Sequence, residues 1–185
     1  MSLTVRFGGV DLPVDAPAVE LVNVSSPDFT PLTRLDHLRE LRLTHTNPHR
    51  APGGLPVELD PLAQLDELEV LVLRHYPIRD LGPLGGLFTL RVLDVSFSPV
   101  DDLGPLARLT GLRELRLRAT RVADLAPLGG LTGLAVLDVA HTRVADLAPL
   151  HGLPDLRSVD VEGAPLAVGA VAALAAAIPG VGITV

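Results

Sequence analysis

The chain has 185 residues, 48% apolar and 20% charged, and its 15 basic side chains against 22 acidic ones leave a net charge of −7. That is the length of one domain and the composition of a chain able to build a core, and the acidic balance argues against a general nucleic-acid binder or a grip on anionic lipid. Every basic residue is Arg, and neither Lys nor Cys occurs, which removes Walker-type phosphate loops, Schiff bases, Ser-Lys dyads, disulfides, thiolate metal sites and Cys nucleophiles.

At the front, residues 1–10 carry one Arg and no apolar run of signal-peptide length, so the cytoplasm is the expected compartment. The weight of Arg, Ala, Gly, Pro, Leu and Val points to a GC-rich, bacterial genome. Residues 1–24 read as an N-terminal cap. Val19 and Leu21 precede Leu41 and Leu43 by 22 positions and predict a strand, and residues 4–7 predict a further one.

From residue 77 to residue 164 the chain repeats itself every 22 residues without a gap, beginning PIRDLGPLGGLFTLRVLDVSFS. Residues 25–46 and 55–76 fit the same frame, with eight extra residues between them. Leucines occupy one column at 35, 65, 87, 109, 131 and 153, and prolines another at 31, 61, 83, 105, 127 and 149. Each unit contains an alternating piece such as Leu93-Asp94-Val95, the period-two mark of a short strand with one face buried. A unit this short cannot bury its own apolar side, so neighbours must stack and their strands must form a parallel sheet. The pattern resembles the leucine-rich repeat, and its D-L-x-P-L portion resembles the internalin class. The resemblance implies an α/β leucine-rich-repeat solenoid, curved, with a parallel β-sheet on one face and short helical or 3-10 turns on the other. In that family Asn commonly follows the strand, whereas here Thr46, Tyr76, Ser98, Thr120, Thr142 and Ala164 do, and hydroxyls bond local backbone more weakly.

The insertion, within residues 47–56, is rich in Pro and Gly and carries His49 and Arg50; insertions in repeat arrays map to one face and often bind. An acidic column at Asp28, Glu58, Asp80, Asp102, Asp124 and Asp146 belongs to every repeat. It therefore reads as a cap for the turn that follows, not as a catalytic or metal set. The open face of the strands varies between repeats. On it Val70, Val72, Val92 and Phe97 form an apolar patch beside Asp94, ringed by Arg42, Arg74, Arg116 and Arg118, with His45 and His75 in one column. Arg and aromatic residues are favoured at interfaces. The competing reading is cross-strand pairing among ordinary solvated side chains. The two histidines lack a carboxylate or thiol partner at metal-ligand spacing.

Residues 165–185 read as a C-terminal cap, an Ala-rich helix over residues 168–177 and a final strand in which Val181 and Ile183 continue the column of Val159 and Val161. No hydrolase, zinc-protease or dinucleotide motif occurs. The expectation is a single leucine-rich-repeat domain, with six repeats over residues 25–164. It is expected to be non-catalytic and without cofactor or metal, and to bind a protein partner on the concave strand face rather than a nucleic acid or a membrane. The alternative is an assembly role. The uncharged strand at residues 180–185 would pair two copies, or the chain would be part of a larger receptor.

Overall fold

The computed structural model describes residues 3–24, 28–46 and 56–185; the insertion residues His49 and Arg50 lie outside this set. The chain opens with an antiparallel hairpin, β1 (Thr4–Phe7) and β2 (Val10–Pro13), of which only the first strand follows from the sequence pattern. Then come β3 (Ala18–Val22), β4 (Glu40–Thr44), β5 (Val70–Arg74), β6 (Val92–Asp94), β7 (Glu114–Arg116), β8 (Val136–Asp138), β9 (Ser158–Asp160), α1 (Ala170–Ala177) and β10 (Gly182–Thr184). Strands β3 to β10 form one eight-stranded parallel sheet in chain order.

The repeat columns become the strand register. Val19 pairs with Leu41, Leu41 with Leu71, and Leu71, Leu93, Leu115, Leu137 and Val159 follow. These side chains point inward onto stacked rungs such as Leu32, Leu62, Leu84, Leu106, Leu128 and Leu150, all fully buried. Each rung sits in a 3-10 turn, for example Gly82–Gly86 and Gly104–Arg108, whose early Pro gives up an N–H that the turn would leave unpaired. Just ahead of the turn, Asp80, Asp102, Asp124 and Asp146 accept the N–H of Gly82, Gly104, Ala126 and Ala148 at 2.7, 2.7, 2.8 and 2.8 Å. Asp28 does the same for Thr30 at 3.0 Å. The acidic column is thus a turn-capping device; Glu58, one methylene longer, makes no such bond.

The position after each strand works differently from an Asn ladder. Ser98, Thr120 and Thr142 donate their hydroxyls to the carbonyls of Val95, Leu117 and Val139, three residues back in their own repeat, at 2.6, 2.7 and 2.6 Å. Tyr76 is fully buried, and its hydroxyl donates to the Val24 carbonyl at 3.3 Å. Burial pushes that phenol up to about 12.

The C-terminal register departs from the sequence frame. Ile183, not Val181, lies opposite Val159, because α1 replaces a 3-10 turn and takes up two more residues. A shift of two keeps every side chain on its own face. Among the described residues no helix is long and apolar enough to cross a membrane.

Candidate functional site: the open face of the sheet

Two transverse rows of side chains cover the open face. Glu40, Val70, Val92, Glu114, Val136 and Ser158 are mutual register partners in one, and Arg42, Val72, Asp94, Arg116, Asp138 and Asp160 in the other. Val72, Val92, Arg42, Arg74, Asp94 and Arg116 line one shallow concavity, so most of the predicted patch is brought together. Three residues expected on this surface are buried instead. Asp94 is 1% exposed, because it folds back so that Oδ1 accepts the Ser96 N–H while Oδ2 receives Arg74 Nε. Val72 is sunk among the longer side chains lining the concavity, and His45 packs edge-on against the Tyr76 ring at 6.3 Å.

The four arginines are matched within the face. Arg42 meets Glu40 at 3.3 Å, Arg116 meets Glu114 at 2.8 Å, Arg74 meets Asp94, and Arg118 bridges Asp160 at 3.4 Å and Glu162 at 2.8 Å. The hydrogen bond from Arg118 holds the Glu162 carboxyl below its ordinary range. Asp138 makes no ion pair among the described residues; burial first, then the nearby Asp160 and Asp94, push its carboxyl up. The arginines therefore hold fixed orientations in a surface of alternating charge and do not form a basic field.

A backbone feature underlies the aromatic part of the site. His75, Phe97, Ala119 and His141 have φ of 64°, 63°, 55° and 55°, all in the left-handed region that costs a bulky residue energy. At the two ends of the same column Asn23 and Gly163, residue types that adopt this region readily, share the conformation, whereas His45, between Asn23 and His75, does not. Those two residues are the signal in the sequence that could have revealed it. Gly163 is also needed for space, since a Cβ there would run into the His141 imidazole. From this column Phe97 stands 44% exposed and stacks on His75, with centroids 4.1 Å apart and planes 13° from parallel.

Burial in this stack, with His45 and Arg74 alongside, lowers the His75 pKa below the ordinary value of 6.5, against the pull of Asp94. The unfolded chain then takes up this proton at a higher pH than the folded one, so the contribution of His75 to stability is present above that value and falls as the solution is acidified through it. On going from about pH 7.5 to about pH 5.5, the thermal midpoint should fall less for His75→Asn, whose side chain suits this backbone, than for the natural protein. Equal slopes would remove His75 from the account.

No family model matches the chain, and no curated protein matches it in sequence. Solved structures do. It is similar to an internalin (inlF) from Listeria monocytogenes, with a TM-score of 0.74 and 24% identity over 90% of this chain and 48% of the other. An internalin C2 (inlC2) from the same organism gives a TM-score of 0.68 and 28% identity over 85% of this chain and 64% of the other. A leucine-rich-repeat protein from Leptospira interrogans gives a TM-score of 0.71 and 16% identity over 94% of this chain and 51% of the other. The fold is a leucine-rich-repeat solenoid built from 22-residue units, and it is similar to those of the internalins. The chain spans about half the length of two of these neighbours and 64% of the third.

Proposed function

We propose that the protein is a non-catalytic interaction module that binds a protein partner on the open face of its sheet. The observation that carries this reading is Phe97, a large apolar ring left in solvent at the centre of the array, on backbone that its own residue type disfavours. Around it, Val92 and the paired Arg74, Arg116 and Arg118 give a surface whose polar groups are already oriented, which lowers the ordering cost of binding. The fold supports the class of function, since leucine-rich-repeat sheets present a long array of independently variable side chains. A bacterial source fits both the composition and the neighbours, and the setting we propose is the cytoplasm.

The test is quantitative capture. A specific protein retained by the immobilised chain should lose affinity at least about tenfold with Phe97→Ala, the scale of an interface anchor. Phe88 is also an exposed Phe but lies in the turn ahead of β6, so Phe88→Ala should leave binding unchanged. Equal loss from both variants, or none from Phe97→Ala, would overturn the assignment of the face.

A further inference from the structure

We propose that Ala119 is the floor of a slot, open between the rings of Phe97 and His141, which receives a planar arginine side chain of the protein partner. This inference rests on the open-face reading above and names the chemistry of the group bound there. The left-handed column continues the ladder of the sheet. His75 N–H bonds to the Ser96 carbonyl at 3.1 Å, Phe97 N–H to that of Arg118 at 2.8 Å, Ala119 N–H to that of Ala140 at 2.8 Å, and His141 N–H to that of Glu162 at 2.6 Å. Successive members of the column are therefore one strand spacing apart, about 4.8 Å. His75 and Phe97 fill consecutive places, and their rings stack at 4.1 Å. At the next place a methyl group stands instead of a ring.

Phe97 and His141 lie two spacings apart, about 9.6 Å. A planar group entering midway would lie about 4.8 Å from each, inside the range for stacked rings and for a cation over an aromatic face. His75 occupies the face of Phe97 turned to the preceding repeat, which leaves the opposite face toward Ala119. The slot is open to solvent, since Phe97 is 44% exposed, the His141 side chain 48%, and Ala119 is only half-buried. Arg118 does not close it, because its guanidinium spans the intervening strand to pair with Asp160 and Glu162.

Charge selects the occupant. Beside the slot, Arg118 is outnumbered by Asp138, Asp160 and Glu162, and Asp138 makes no ion pair among the described residues. An arginine brings the missing cation on a group flat enough to stack, with N–H donors around its rim for carboxylates. A lysine would bring the charge without the plane, and a neutral aromatic ring the plane without the charge.

The experiment fills the slot. Ala119→Phe places a ring in a column that already carries His75 and Phe97 on the same backbone, whereas Ala119→Gly leaves the slot empty. The probe is N-acetyl-arginine amide, followed by proton NMR of the Phe97 and His141 rings in the full chain. Saturable shifts of both rings are expected in the natural protein and in Ala119→Gly, with binding at least about tenfold weaker in Ala119→Phe. Circular dichroism shows whether the variants are folded. If Ala119→Phe does not fold, Phe97→Ala, which removes one wall, carries the test with the same expected loss. Against a protein captured on the open face, Ala119→Phe should cost the same factor and Ala119→Gly less than about twofold. Equal shifts with N-acetyl-lysine amide or N-acetyl-tryptophan amide would overturn the choice of arginine, and undiminished probe binding by folded Ala119→Phe would overturn the slot. Capture lost with Phe97→Ala but kept in full by folded Ala119→Phe would also overturn the slot and leave the open-face reading standing. Probe binding between the two rings with no captured protein would support the slot and count against that reading.

Discussion

Arg74→Ala should destabilise the fold by about 3 kcal/mol at neutral pH, more than removal of its partner's charge by Asp94→Asn, which should cost about 1 kcal/mol. The asymmetry follows from exposure. Arg74 has 39% of its side chain in solvent and can return to water when its partner is lost, whereas Asp94 has 2%. Deleting the arginine strands a carboxylate in the sheet surface; converting the carboxylate to an amide keeps the Oδ1 acceptor for the Ser96 N–H. The double variant should therefore recover most of the loss, and a thermodynamic cycle from urea unfolding of the four proteins measures the coupling. A cycle with no coupling would mean that the pair contributes nothing. One practical result is that Arg74 is a poor probe of binding, since its removal disturbs the face whether or not a partner touches it. Phe97, which makes no ion pair, is the cleaner choice.

Tyr76→Ala should cost about 4 kcal/mol, in the range for deleting a fully buried large side chain. Tyr76→Phe should cost about 1 kcal/mol, the loss of one buried hydrogen bond. Tyr76 stands where Thr46, Ser98, Thr120 and Thr142 place a small hydroxyl and Ala164 a methyl, and its large side chain is fully buried. Its hydroxyl reaches the Val24 carbonyl, and its ring meets His45. The loss should fall on the N-terminal side first, because each repeat in a solenoid draws its support from its neighbours. Hydrogen exchange should show β3 and β4 opening while β7 to β9 remain protected. Uniform loss of protection would instead indicate one cooperative block.

The sheet was readable because one apolar column dictates both burial and register: β3 to β9 pair as the 22-residue spacing requires, lengthened by the eight-residue insertion between β4 and β5. The aspartates of the turns were equally legible, since a residue needed in every repeat shows itself by repeating. What escaped depends on side-chain conformation or on breaks in the period. Nothing in the spacing says that Asp94 gains an arginine partner while Asp138, folded back onto the Ala140 N–H in the same way, makes no ion pair. The pairing of each Arg with a particular carboxylate is a choice among rotamers of long side chains. The left-handed column was marked by Asn23 and Gly163 at its ends and hidden by His75, Phe97 and His141 between them. The frame of β10 slipped by two residues because the α-helix ahead of it has no counterpart elsewhere in the array.

The hydroxyls of Ser98, Thr120 and Thr142 and the carboxylates of Asp102, Asp124 and Asp146 all close their bonds within a few residues of chain. The side-chain bonds that cap each turn are thus closed within the unit, while the backbone of residues 121–142 still bonds to its neighbours, Arg121 N–H to the Val100 carbonyl and Arg143 N–H to the Val122 carbonyl. Whole units can then be gained or lost in multiples of 22 without orphaning a polar group in the turns, and array length is open to genetic change. Side-chain bonds that reach further, among them Arg118 to Asp160 and Glu162, Arg113 to Asp155, Thr46 to Asn23, Thr89 to the Asp66 carbonyl and Tyr76 to Val24, are where such a change would be felt. They divide the array into stretches that can vary in number and stretches that must be inherited together.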